Sequence, residues 1–381
     1  MSSDSTLFQS PFGDYQLQRF PEVGDKSPLR AWDAADQYLL EHLHQQTPGA
    51  DDKILLVNDQ FGGLALPLHC WSPTSINDSF LNEEGCRRNW QHNQLPEADL
   101  QQLDSLSSPT GKVDWILIKI PKTLALLEDQ LYRLRAVIHP KTRIIGAAMA
   151  REIHTSTLAL FEKILGTTTT SLAKKKARLI FCEPNPEHWQ GQSPYPSNYT
   201  LNETGWTISN HANVFSRAKL DIGTRFFMEH IEQLPKSERI VDLGCGNGLL
   251  GILAGNQQPG SEIVFCDESH MALDSARENA ERILGDNNTL SFQLDNGLSA
   301  SASESTDLVL NNPPFHQKQV VGDHIAWQMF KDAHRVLKSG AELWVIGNRH
   351  LQYHAKLKRL FGNCRTVASN KKFVLLAASK R

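Results

Sequence analysis

Six consecutive residues, Asn311-Asn312-Pro313-Pro314-Phe315-His316, carry the sharpest chemical signal in the chain. An amino group attached to an aromatic ring is a poor nucleophile, because its lone pair is conjugated. A site can help by accepting hydrogen bonds from both N–H groups. The side-chain oxygen of Asn312 and the backbone carbonyl of Pro313 have that capacity, and the prolines keep the loop stiff and the carbonyl pointed. Phe315 offers a flat face on which a base can stack. A second motif, Val241-Asp-Leu-Gly-Cys-Gly-Asn-Gly, places Gly244, Gly246 and Gly248 behind Asp242. Glycines there let the backbone turn tightly and approach a ligand closely. Alone, such a turn serves any nucleotide or is merely a tight loop. Asp267 follows Gly248 by 19 residues and ends the next strand-like run, where a carboxylate can accept hydrogen bonds from both ribose hydroxyls. A dinucleotide enzyme would show G-x-G-x-x-G. The G-x-G-x-G spacing with Asp242 ahead favours a cofactor without phosphates. Asp295 follows a third strand and could hold an adenine amino group, although Asp295-Asn296-Gly297 also reads as a plain turn.

These motifs need a sheet to position them. In the C-terminal half, apolar runs at 239–243, 262–266, 290–294, 307–310 and 342–346 alternate with helical patterns, and 364–368 and 373–377 supply two more strands. The spacing predicts a helix over 269–284, stopped by Gly285, and another with a stripe of Ile325, Met329, Ala333 and Val336, closed by Gly340. Strands alternating with helices mean a parallel sheet covered on both faces. Asn311 and Asn312 then sit at its carboxyl edge, where ligands bind in open α/β folds.

The N-terminal half repeats the plan in worn form. Lys53-Ile-Leu-Leu-Val-Asn-Asp-Gln-Phe-Gly-Gly parallels the run from Arg239, Val113-Asp-Trp-Ile-Leu-Ile-Lys-Ile-Pro-Lys parallels the run from Thr306, and Ala136-Val-Ile-His-Pro parallels the run from Arg335. The offsets are 186, 193 and 199 residues, the drift expected of an internal duplication whose loops have lengthened. Residues 184–205, rich in Pro, Asn, Ser, Gly and Gln, read as a linker between domains at 1–183 and 206–381.

Composition sets the class. The chain has 381 residues, 40% hydrophobic and 21% charged, enough for two globular domains. No apolar run approaches the ~20 residues of a membrane-spanning helix, and no leader pattern opens the chain, so a cytoplasmic protein is expected. Six scattered cysteines without a C-x-x-C pair read as reduced thiols, and no metal-ligand cluster is visible. A net charge of −3 excludes a protein coated in positive charge but leaves room for local basic clusters, as at Arg87-Arg88 and Lys174–Lys176.

Taken in order, the Asp-x-Gly-x-Gly-x-Gly turn, the Asp267 strand end and the Asn-Pro-Pro-Phe loop resemble the class I S-adenosylmethionine-dependent methyltransferases. The Asn-Pro-Pro-Phe-His form is similar to that of the bacterial rRNA guanine-N2 methyltransferases, which carry tandem methyltransferase-like domains with the N-terminal one degenerate. Leu17-Gln-Arg-Phe-Pro and Pro28-Leu-Arg-Ala-Trp-Asp-Ala-Ala-Asp-Gln-Tyr-Leu-Leu resemble the opening of the large-subunit member. His211-Ala-Asn-Val-Phe-Ser-Arg and Leu220-Asp-Ile-Gly-Thr resemble the segment that precedes the fold and touches the cofactor.

The resemblance implies a Rossmann-type, seven-stranded sheet with one reversed strand at its edge in each domain. It implies S-adenosyl-L-methionine held by Asp242, Gly244, Gly246, Gly248, Asp267, Asp295 and Asn311. Asn312, Pro313 and Phe315 would act on the guanine, with Pro314 and His316 beside it, giving N2-methylguanosine in 23S rRNA from a monomer. The N-terminal copy departs from the pattern, with Val57-Asn-Asp-Gln-Phe-Gly-Gly and Lys119-Ile-Pro-Lys at the motif positions. A lysine donates and cannot accept amino hydrogens. That copy should bind RNA rather than catalyse, with Lys119 and Lys122 facing phosphate. The rival readings are small-subunit rRNA methylation, methylation of adenine N6 or a protein glutamine, and a non-catalytic rRNA-binding assembly factor.

Overall fold

Buried β-branched and leucine runs build two sheets of the same design in the computed structural model, which describes residues 6–22, 29–314 and 320–381. The chain divides into two units, Met1–Tyr195 and Pro196–Arg381. The second contains, in chain order, strands Arg239–Leu243, Glu262–Asp267, Thr289–Leu294, Thr306–Asn311, Leu337–Asn348, Arg365–Ser369 and Phe373–Ser379. Across the sheet they run third, second, first, fourth, fifth, seventh, sixth. The first four and the fifth are parallel, and the seventh is antiparallel to both its neighbours.

The reversed strand is therefore one place in from the edge, not at it. Phe373–Ser379 follows the sixth strand after a short turn, so it must run back. Its residues are mostly buried, whereas Arg365–Ser369 is largely exposed and takes the edge. A second adjustment concerns Gly340. The helix Val320–Val336 ends four residues earlier, and Gly340 lies within the fifth strand at φ +81°. The pairing slips there, from Thr306 opposite Leu337 to Leu308 opposite Glu342. Met329, Ala333 and Val336 of the expected stripe are buried, while Ile325 stays exposed.

The first and fourth strands lie side by side at the centre, with Leu243 opposite Asn311. The chain leaves the first strand toward one side of the sheet and the fourth toward the other. The loops after them therefore part at a topological switch point, the usual place for a ligand. Apolar clusters cover both faces, one around Phe265, Ala276 and Trp344, the other around Val309, Phe330 and Val345. The helix His270–Leu284 packs on the first of these. Ser269 caps it by accepting from the Ala272 amide.

The first unit holds strands Ile54–Val57, Thr74–Asn77, Gln101–Asp104, Trp115–Lys119, Arg143–Met149, Gly166–Thr170 and Ala177–Pro184 in the identical order. Val57 pairs with Ile118 and with Ile76, just as Leu243 pairs with Asn311 and with Cys266. This register sets Asn58 against Gly244, Asn77 against Asp267, and Lys119 against Asn312. The stretch expected to be all linker is partly built. Pro186–His188 forms a short turn of helix, and Ser197–Thr200 pairs with Thr207–Asn210. No helix among the described residues is long and apolar enough to cross a membrane.

Candidate active site

Asn312 leaves the carboxyl end of the fourth strand half-buried. Its Nδ2 donates to Asp221 Oδ2 at 3.4 Å and to Thr224 Oγ1 at 3.2 Å. Its Oδ1 is buried and has no hydrogen-bond partner among the described residues. A buried amide oxygen without a partner costs stability unless something outside the chain satisfies it. Asp221 caps the helix Ile222–Met228 by accepting from the Thr224 amide at 2.9 Å. Asn311 turns the other way. Its Nδ2 donates to Leu243 O at 2.7 Å and locks the first strand to the fourth. Pro313 is buried and Pro314 exposed. The expectations for Phe315 and His316 lie outside the described residues.

Opposite stands the glycine turn, with Gly244, Gly246 and Gly248 at φ +69°, +55° and +81°. All three are left-handed, a region costly to side chains. A β-carbon on Gly244 would meet Met329 Cε at 2.8 Å and one on Gly248 would meet Ala276 Cβ at 3.0 Å, but one on Gly246 would meet no atom of the described residues within 4 Å. Gly246 thus faces open space. Asp267 borders it, accepting from the Gly246 amide at 2.9 Å and the Ser269 amide at 3.0 Å. An open backbone cradle beside a strand-end carboxylate fits a nucleoside-type cofactor such as S-adenosylmethionine.

Three expectations need correction. Asp242 does not line open space. It is buried under the turn, and its carboxylate accepts from the Gly251 amide at 2.8 Å, bracing the helix Leu249–Gln257. Burial, aided by nearby Asp267 and opposed by the Gly251 hydrogen bond, pushes its pKa up to about 8. Asp295 is also spent locally. Oδ1 accepts from the Asn296 amide and Ser299 Oγ, and Oδ2 accepts from the Ala300 amide and Gln293 Nε2. Four donors fill a carboxylate's four sites, so the plain-turn reading describes it. Lys119 does not face phosphate. It is 5% exposed, with Nζ 2.9 Å from Asp33 Oδ1 and 2.7 Å from Asp36 Oδ1. Burial alone would lower its pKa, but Asp36 and Asp33 outweigh that and raise it, so the lysine stays charged. Its partners come from a helix 86 and 83 residues upstream, and no local pattern announces them. Lys122 is exposed.

The rest of the first unit's equivalent place is filled from within. Phe61, in the loop that matches the glycine turn, is 4% exposed, with the Arg19 guanidinium 4.7 Å from its ring centre. Asn77, where Asp267 would fall, donates to Asp59 O at 3.0 Å. The Asp59 carboxylate caps the Leu64 and Ala65 amides, and burial with nearby Asp36 raises its pKa to about 6.

Some functional neighbours escaped sequence reasoning. Asp221 and Thr224 were noticed only as part of a resemblance. Asn279, buried on the helix His270–Leu284 one turn after the buried Ser275, accepts from Ser209 N and donates to Ser209 O and Asn247 O. It ties the glycine turn to the strand Thr207–Asn210, and a polar residue amid Ala272, Ala276 and Ala280 was its available signal. His211, Asp274 and Glu278 also come together, with ligand-type atoms within 4.8 Å. They lie 63 and 67 residues apart along the chain, so spacing could not show this group, which the absence of a visible ligand cluster had not anticipated. His211 Nε2 lies 3.0 Å from Asp274 and 3.9 Å from Glu278, an imidazole–carboxylate contact of hydrogen-bond length to the first.

With the geometry in place, known proteins can be compared. The RLMG N-terminal domain family matches residues 5–186, and the Methyltransferase small domain family matches residues 205–377. Ribosomal RNA large subunit methyltransferase G of Klebsiella pneumoniae is 52% identical over 96% of both chains. The protein of that name from Aeromonas salmonicida is 48% identical over 99% of this chain and 100% of its own. Among solved structures, the Thermus thermophilus 16S rRNA N2 G1207 methyltransferase, in complex with AdoMet and guanosine, covers 99% of this chain and 98% of its own with a TM-score of 0.74 and 17% identity. That likeness is one of fold.

Proposed function

Because the chain belongs to the ribosomal RNA large subunit methyltransferase G family, we propose that Asn312 and Pro313 hold the exocyclic N2 amino group of a 23S rRNA guanine for methylation. The enzyme is an S-adenosylmethionine-dependent rRNA methyltransferase. Its glycine turn, with Asp267 at the ribose, holds the cofactor. When bound, S-adenosylmethionine supplies a sulfonium methyl already activated for attack, so positioning is the main demand on the protein.

The observation that carries the reading is the Asn312 amide at the carboxyl edge of the sheet, whose Nδ2 is held by Asp221 and Thr224 while its buried Oδ1 has no hydrogen-bond partner among the described residues. Only a donor can satisfy it, and an amino group is such a donor. Asn312 accepts one N–H and the Pro313 carbonyl accepts the other. Both acceptors stabilise the positive charge that grows on nitrogen as the N–C bond forms and the C–S bond breaks. The surplus proton passes to water. The target base is taken unpaired or flipped from its stack. Exposed Lys122 is a candidate phosphate contact in the first unit. The enzyme is expected to act as a cytoplasmic monomer.

The test is transfer of labelled methyl to rRNA lacking the modification, followed by nucleoside analysis. Asn312→Ala is expected to lower kcat by about 10²–10³ with cofactor affinity retained, the scale of losing one aimed polar group. Label in adenine or protein, or an unchanged kcat, would overturn the reading.

A further inference from the structure

The side of Asn312 that faces away from substrate is as specific as the side that faces it. Nδ2 lies against two oxygens, Asp221 Oδ2 and Thr224 Oγ1. A carboxylate can only accept. The Thr224 hydroxyl lies 3.3 Å from the same Oδ2 and donates its single hydrogen there. With that hydrogen given to Asp221, Oγ1 accepts from Asn312. An amide turned end over end would set its oxygen against the Asp221 carboxylate, which has no hydrogen to give, and could be met only by turning the Thr224 hydroxyl away from Asp221. The proton count therefore favours the orientation with Oδ1 directed away from Asp221 and Thr224.

We infer that Asp221 and Thr224 are positioning residues that fix the Asn312 amide with its oxygen turned away from them, so that the site selects a donor amino group. The inference rests on the proposed role of Asn312. The first unit supplies an independent comparison. Asp33 and Asp36 lie 188 residues before Asp221 and Thr224, Asp33 caps its helix as Asp221 does, and the residue they face, Lys119, occupies the register position of Asn312. The duplication has kept two acceptors facing a donor in both units. The units differ in what that donor residue offers on its far side. Asn312 presents an acceptor, whereas Lys119 has none. The acceptor pair alone thus makes no catalytic site. It becomes one where the residue it orients has a second, opposite face.

The test uses the full-length enzyme, single-turnover methyl transfer with enzyme in excess, and cofactor titration calorimetry. Thr224→Val keeps the shape but removes one of the two acceptors, leaving Asp221 alone to hold the amide. It is expected to lower the transfer rate about tenfold, the scale of one hydrogen bond, measured with the enzyme saturated in cofactor at the affinity the calorimetry gives, so that the rate reads transfer and not cofactor binding. Thr224→Ser restores the oxygen and should recover most of the rate, which a merely structural role of the γ-methyl would not allow. In an Asn312→Ala background, Thr224→Val should cost nothing further, because no amide remains to orient. Equal losses in both backgrounds, no loss in either, or failure of Ser to rescue would overturn the inference. An Asn312→Ala enzyme with the wild-type rate would instead overturn the proposed role of Asn312 itself.

Discussion

At the scale of single residues, the chemistry of this site is a matter of which polar atoms are left over. Asn311 and Asn312 are adjacent and identical in type, and each leaves a buried Oδ1 without a partner among the described residues, yet the Nδ2 of one closes the gap between two strands and the Nδ2 of the other is held by Asp221 and Thr224. Asp242 shows the same economy. Its folded pKa of about 8 lies above the ordinary carboxyl value of 3.8. Between those two values the unfolded chain has lost the proton and the folded chain keeps it. The contribution of this one group to stability is therefore full below about pH 4, declines as pH rises by up to about 1.4 kcal/mol per unit, and levels off above about pH 8. Asp242→Asn mimics the protonated form and can still accept from Gly251. Thermal unfolding should show its advantage over wild type growing from pH 5 to pH 8. An advantage that is constant or shrinks over that range would mean that Asp242 is ionised in the fold.

At the scale of elements, the glycine turn works through backbone sign and through what lies beyond each α-carbon. Gly246 and Gly248 both hold left-handed φ, so alanine strains either by about 1–2 kcal/mol. Their surroundings differ. At Gly248 the new methyl presses on Ala276 of the covering helix, whereas at Gly246 it projects into open space. Gly246→Ala should lose cofactor affinity with only that modest loss of stability. Gly248→Ala should lose more stability, as packed helices yield poorly to an added methyl. Calorimetric binding and thermal unfolding of the two variants, side by side, would separate these effects. A Gly246→Ala protein that binds cofactor normally would remove the cradle from the site.

At the scale of the whole molecule, one design is used twice, and in the first copy the place that matches the glycine turn and Asn312 is filled by the chain's own side chains. In the first unit, Phe61 fills the turn, Asn77 replaces the strand-end carboxylate, and buried Lys119 and Asp36, with the partly exposed Asp33, form an ion cluster where Asn312 would be. A buried charge with its partners supplied by the chain itself has no need of a ligand and a high cost if disturbed. S-adenosylmethionine should therefore bind the intact chain with a stoichiometry of one, measured by titration calorimetry. Two equivalents would show that the first unit still accommodates a cofactor.

The alternation of apolar runs with helical stripes, the glycine turn, Asp267 and the Asn-Pro-Pro loop are local features. Each is written within about twenty residues, so the doubled α/β plan, the carboxyl-edge position of Asn312 and the class of cofactor were legible in the chain. The duplication was also readable, because strand registers preserve the offsets between motifs. The roles that changed all depend on partners far away in sequence. Lys119 looked like a phosphate ligand until Asp33 and Asp36 closed on it, and Asp242 looked like a lining residue until Gly251 took its carboxylate. The third adjustment, Asp295, shows that even a local turn decides its hydrogen bonds only when its backbone amides are placed. Sequence determined which residues carry donors and acceptors. Tertiary structure decided which of those atoms are already spent, because a hydrogen bond depends on distance and direction that spacing along a chain does not contain.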